Sequence, residues 1–242
     1  MFGRMATAQI SSKHGTVPAY LATPLPAVSG PGPWPGVVIV HDATGLGDDV
    51  RSIAERFATA GYLAVVPDLY SRGGALRCIR SVMRDLQQAQ GRAFDEVDAA
   101  RDHLRSREDC TGKVGVAGFC MGGGFSIVGA SRGFDASAPY YGQLPTDPSV
   151  LDGACPIVAS FGAKDPMLRG AAAKLESQLA QRRISHDVKE YADAGHSFAN
   201  RMNLGPFNVL ARVAGFGYHH ESSEDAWQRV LTFFAEHLDH RG

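Results

Sequence analysis

A chain of 242 residues fits one α/β domain, and residues 1–242 are read as a single domain. Its 24 basic and 25 acidic side chains leave a formal net charge of −1, which argues against nucleic acid or an anionic membrane as partner and favours a small substrate of low charge. With 44 % apolar and 20 % charged residues the composition is that of an ordinary globular protein, and no apolar run approaches the ~20 residues that cross a bilayer.

The first residues, Met1-Phe-Gly-Arg-Met-Ala-Thr-Ala8, hold no apolar core of signal-peptide length, so a cytoplasmic location with reduced thiols is expected. Ser29-Gly-Pro-Gly-Pro-Trp-Pro-Gly36 reads as a surface turn joining an N-terminal strand pair to a main sheet. Residues 36–40 and 62–66 are short, continuous and β-branched, as strands buried on both faces are. Between them a helix opens at Asp48-Asp49, turns Val50, Ile53, Ala54, Phe57 and Ala58 inward, and stops at Gly61. Residues 72–91 are Arg-rich and irregular. A helix follows over about 94–107 with Val97, Ala100 and Leu104 inward, then strands at 114–117, 157–161 and 186–191. Further helices are expected over about 169–181 and 223–238. Strands alternating with helices predict a mostly parallel sheet covered by helices on both sides.

The strongest chemical signal is Gly118-Phe119-Cys120-Met121-Gly122, which follows the apolar run at 113–118 and precedes a small-residue helix start. Strand, then Gly-x-nucleophile-x-Gly, then helix is the nucleophile-elbow pattern, here with cysteine in place of serine. Two more candidates stand at predicted strand ends: Asp165 in Phe161-Gly-Ala-Lys-Asp165-Pro166, and His196 in Ala194-Gly-His196-Ser-Phe198. In an open α/β sheet, active residues gather at the carboxyl ends of strands. Nucleophile, acid, histidine is also the chain order of the α/β-hydrolase triad. His196 would take the thiol proton and return one to the leaving group, while Asp165 would fix the imidazole tautomer and stabilise its charged form. The helix starting at Met121 points its positive end at the sulfur.

An oxyanion hole needs two N–H donors. The Met121 amide is one candidate, and Ala43 in the loop His41-Asp42-Ala43-Thr44-Gly45 is the other. Taken singly, each triad residue also has an ordinary structural explanation: a core cysteine, a turn aspartate before Pro166, a loop histidine bonded to backbone. Cys78, Cys110 and Cys155 are assigned to the core, and no two cysteines form a C-x-x-C pair. Gly122-Gly-Gly124 lacks the following Gly-Lys-Ser/Thr of a phosphate loop. His219-His220 and the pair His237 and His240 lack a third ligand, so neither metal nor other cofactor is expected.

Pro67-Asp-Leu-Tyr70, Gly118-Phe-Cys-Met-Gly-Gly123, Tyr140-Tyr-Gly142 and Ala194-Gly-His-Ser-Phe-Ala199 together resemble the dienelactone hydrolase family, the carboxymethylenebutenolidases, over most of the chain. The resemblance implies an α/β-hydrolase fold without a large lid domain. It implies hydrolysis of a small unsaturated lactone carrying a carboxylate, with Cys120 attacking the carbonyl and water clearing the acyl-enzyme. In the family a glutamate after the third strand holds the resting thiol; Asp42 stands there in this chain, one methylene shorter, and reads equally as a turn residue. Family members hold the substrate carboxylate with arginines, one of them four residues past the histidine. Asn200 occupies that position here and Arg201 is next. A second arginine is expected after Tyr70, where Arg72 is nearest and Arg77, Arg80 and Arg84 follow. Tyr141 and Phe198 are candidates for the pocket lining and equally for the core.

The expected function is a cysteine-dependent hydrolase of a small ester or lactone, acting as a monomer. The alternatives are a short-chain carboxylesterase with no carboxylate requirement and a non-catalytic binding protein on the same fold.

Overall fold

The computed structural model describes residues 4–201 and 216–238; Met1, Phe2, Gly3 and His240 lie outside the described residues. An eight-stranded sheet runs in the order β1-β2-β4-β3-β5-β6-β7-β8. β1 (Arg4–Ser12) and β2 (Gly15–Thr23) form an antiparallel hairpin, and β2 joins β4 (Leu63–Pro67) antiparallel. From β4 onward every neighbour is parallel: β3 (Trp34–Val40), β5 (Cys110–Phe119), β6 (Ala136–Tyr140), β7 (Ile157–Gly162) and β8 (His186–Tyr191). All residues of β3 and β4 are buried, which is why their sequences read as continuous apolar runs with no polar alternation.

The pleat distributes those runs between two cores. Val37 and Ile39 face one side, where α2 (Asp48–Thr59) and the C-terminal helix bring Phe57, Trp227 and Phe234. Val38 and Val40 face the other, packed on Phe94 and Phe125. Among the described residues, besides a short turn of helix, α1 (Pro26–Ser29), and a 3-10 turn at Pro148–Leu151, the other helices are α3 (Ala75–Gln88), α4 (Arg92–Arg105), α5 (Met121–Gly129), α6 (Ala171–Gln181) and α7 (His220–Leu238). α5 is buried along its whole length, so it carries small and apolar residues and no polar face.

Two elements differ from expectation. The irregular stretch 72–91 contains α3, which buries Cys78, Val82 and Leu86 and leaves Arg77, Arg80 and Arg84 exposed. β6, which the sequence pattern did not reveal, lies between β5 and β7. Among the described residues no helix is long and apolar enough to cross a membrane.

Candidate active site

Cys120 sits between the last residue of β5 and the first of α5 at φ 55° and ψ −113°, a backbone conformation that side chains other than glycine avoid. The turn closes so tightly that a Cβ at Gly118 would stand 1.9 Å from the Gly122 carbonyl oxygen. One at Gly122 would stand 2.0 Å from the Val40 oxygen of β3. Glycine is required at both places by close approach of backbone. The strained residue is held by its own hydrogen bonds: its N–H donates to Tyr140 O at 3.1 Å, and its carbonyl accepts from Gly124 N at 3.2 Å.

His196 and Asp165 converge on the sulfur from the ends of β8 and β7. His196 Nε2 lies 3.1 Å from Cys120 Sγ. On the opposite side of the ring, Nδ1–H donates to Asp165 Oδ2 at 2.6 Å, which fixes the tautomer, since a carboxylate accepts and does not donate. Asp165 Oδ1 accepts from the Met167 amide at 2.8 Å, so both carboxylate oxygens are engaged. The two side chains are only 0 % and 4 % exposed. Burial opposes charge on the imidazole, but Asp165 and the Cys120 sulfur more than offset it, and the His196 pKa is pushed up to about 9. The ring is also flanked by Tyr141 and Phe216, each 5.3 Å away between centroids.

The loop after β3 supplies the third side of the site. Asp42 Oδ1 accepts from the Thr44 amide at 2.7 Å and from the Thr44 hydroxyl. One oxygen of the Asp42 carboxylate is thus engaged within its own loop, the contact the turn reading expects. Ala43 and Met121 face the same cavity as Cys120. Two further residues, His41 and Tyr70, brace this loop. Buried His41 donates from Nδ1 to Asp42 O at 2.7 Å and accepts from the Leu69 amide at Nε2, 3.3 Å away. Burial lowers its pKa, which keeps Nε2 free to accept. The Tyr70 hydroxyl donates to Ala43 O at 3.3 Å, and its ring packs on His41. The Pro67-Asp-Leu-Tyr70 segment was the only available signal for Tyr70.

Above the sulfur lies a cavity of about 450 Å³. Ile79, Met83 and Leu86 of α3 form one wall and Met167 and Leu168 another, with Tyr141 and Gln143 beside them. The expected arginines are not there. Arg72 pairs with the fully buried carboxylate of Glu96, which also accepts from Arg92 Nε at 2.9 Å. Arg201 donates to the Tyr218 hydroxyl at 3.1 Å and stacks over that ring, in a separate polar cleft with Asp49 and Glu224. Phe198 is a core residue, fully buried against Tyr140, Tyr141 and Tyr191. Tyr141 serves both expectations. Its ring lines the cavity, while its hydroxyl donates to Asn200 Oδ1, and Asn200 Nδ2 donates to Asp49 Oδ2 at 2.7 Å. That chain ties the His196 loop to α2.

The model of the dienelactone hydrolase family matches residues 17–238. A carboxymethylenebutenolidase from Pseudomonas putida is 30 % identical over 197 residues, covering 75 % of this chain and 82 % of that protein. Among solved structures, a dienelactone hydrolase-like promiscuous phosphotriesterase from metagenomic libraries superposes with a TM-score of 0.77 at 22 % identity, covering 98 % of this chain and 100 % of the other. The dienelactone hydrolase of Anabaena variabilis ATCC 29413 gives 0.71 at 20 % identity, covering 98 % and 99 %. At these identities the structural likeness establishes the α/β-hydrolase fold.

Proposed function

This chain belongs to the dienelactone hydrolase family and is a carboxylic ester hydrolase of small substrates, and on that premise we propose that it cleaves an ester or lactone through a covalent intermediate on Cys120. The observation that carries the reading is the continuous contact from Asp165 through His196 to Cys120, at 2.6 Å and 3.1 Å. In this reading residues 1–242 work as one catalytic domain.

Cys120 stands at the amino end of α5, and His196 Nε2 lies 3.1 Å from its sulfur, in place to take the thiol proton. The thiolate adds to the carbonyl carbon and the carbonyl π pair moves to oxygen. That oxyanion is placed between the Ala43 and Met121 amides, whose carriers flank the sulfur in the cavity wall. When the intermediate collapses, the C–O bond to the alcohol breaks and His196 gives its Nε2 proton to the leaving oxygen. His196, now neutral, takes a proton from water as the water oxygen adds to the thioester. Expulsion of the sulfur then releases the acid and restores the thiolate–imidazolium pair. Asp165 holds the ring in this orientation throughout.

The test is hydrolysis of p-nitrophenyl butyrate by wild type and by Cys120→Ala. Loss of turnover to within about a hundredth of wild type, with an unchanged circular dichroism spectrum, is expected. A folded alanine variant that keeps its activity sinks the mechanism.

A further inference from the structure

We propose that this site takes a neutral ester whose acyl group is apolar, seated against α3, in place of a carboxylated lactone. The proposal rests on Cys120 being the nucleophile and adds the chemistry of what reaches it.

Three observations carry it. First, the cavity walls are Ile79, Met83 and Leu86 on one side and Met167 and Leu168 on the other. Among the described residues no lysine, arginine or carboxylate lines the cavity. A substrate carboxylate entering there sheds its water with no cation among the described lining residues to replace it, and an unpaired buried charge is strongly disfavoured. Among the described residues the one cationic group that faces the cavity is His196, which already has Nδ1 on Asp165 and Nε2 on Cys120.

Second, the arginines nearest by sequence are occupied elsewhere. Arg72 and Arg92 share the Glu96 carboxylate, which is fully buried. Swinging Arg72 toward the sulfur strips a buried anion of one of its two partners, so the fold opposes the movement. Arg201 is held on Tyr218 in the other cleft, and its backbone amide donates to Asp49 Oδ1 at 3.0 Å.

Third, the apolar wall continues out of the cavity. Leu76, Ile79 and Met83 are spaced i, i+3 and i+7 and so share one face of α3. Leu76 is 95 % exposed and Met167 66 % exposed. Met167 borders the cavity while largely exposed, and Leu76 stands one turn before Ile79 outside the lining, so the apolar face extends beyond the cavity wall. Met83, Met121 and Met167 are unbranched and polarisable, which lets the pocket adapt to acyl groups of different shape. Arg77, Arg80 and Arg84 of the same helix are exposed and stand outside the cavity lining. They attract anions from solution but offer no desolvated pairing at the sulfur.

The experiment compares esters with one leaving group: p-nitrophenyl acetate, butyrate, hexanoate and hemiglutarate, each with wild type, Cys120→Ala, Met83→Arg and the triple variant Arg77→Gln/Arg80→Gln/Arg84→Gln. The expected result is a Cys120-dependent kcat/KM that rises about fourfold per added methylene from acetate to hexanoate. Hemiglutarate should fall about a hundredfold or more below hexanoate. Met83→Arg, which sets a cation in the wall, should narrow that gap by at least about tenfold. A wild type that turns over hemiglutarate as well as hexanoate, through Cys120, overturns the substrate assignment and leaves the cysteine mechanism standing. So does a hemiglutarate preference abolished by the triple arginine variant, which would make those arginines the carboxylate receptor. Turnover that survives in Cys120→Ala, with no acyl adduct on Cys120 by mass spectrometry, removes the mechanism and this proposal with it.

Discussion

Replacing Asp165 by asparagine separates the electrostatic part of the His196 contact from its shape. The amide is nearly isosteric, but it removes a full charge 2.6 Å from Nδ1 and can present an N–H where the ring needs an acceptor. His196 stands at about 9 against an ordinary 6.5, a rise of about 2.5 units, or about 3 kcal/mol in favour of the imidazolium. Burial works against that rise, and Asp165 and the Cys120 sulfur produce it. Losing the carboxylate should therefore lower the pKa by about 1–2 units. In the proposed mechanism the His196 imidazolium protonates the leaving group, and it is lost near pH 9, so wild-type kcat/KM for p-nitrophenyl butyrate should fall off on that side. In Asp165→Asn the alkaline limb should move down by that amount. The rate at its optimum should fall by about a hundredfold or more, because the wrong tautomer also becomes available. Stability follows the same sign. A raised folded pKa contributes stability that is fully present below 6.5 and is lost as pH rises through about 9. The gap in unfolding free energy between wild type and Asp165→Asn should thus be widest in mildly acidic buffer and close through pH 9. Urea titrations at half-unit steps from pH 6 to pH 10 measure it. An alkaline limb that does not move, or a stability gap that widens with pH, refutes the account of His196.

The four thiols should separate sharply under iodoacetamide. Burial pushes Cys155 up to about 12 and also raises Cys110, and Cys78 is buried under Tyr70, so peptide mapping at neutral pH should find Cys120 alkylated at least about tenfold faster than the other three. Asn200→Ala should cost about 1–3 kcal/mol in urea unfolding, because it leaves the buried Tyr141 hydroxyl without its acceptor; an unchanged midpoint counts against the network that ties the His196 loop to α2.

The three residues at strand ends were legible because each is fixed by local backbone. The elbow needs its flanking glycines within two residues of Cys120, so the geometry is written into five consecutive positions. α3 was not legible for the opposite reason. Its start is Gly74, which offers no capping side chain, and its first turn has no acidic residue, so the usual markers of a helix start are missing. β6 was hidden by Pro139, which argues against a strand within a sheet. The structure tolerates it because β6 pairs with β7 at Ser137 and Tyr140, so the missing N–H falls between those contacts.

The same contrast explains why the triad and the pocket were read so differently. Cys120, His196 and Asp165 are placed by three turns of the sheet, and a turn is a short-range object. The substrate's surroundings depend on where long side chains end up after packing. Arg72 follows the matched segment closely in sequence, and its direction is decided by Glu96, twenty-four residues away on α4. Arg201 follows the histidine loop, and its direction is decided by Tyr218. Neither partner is visible in a motif. One wall of the cavity is formed by α3, whose Ile79 and Met83 come from the stretch that carried no clear period. Reaction chemistry in this fold is therefore a property of local sequence, while selectivity is a property of tertiary packing. Two chains that share every elbow residue can take substrates of opposite polarity when one buried carboxylate draws an arginine off the pocket.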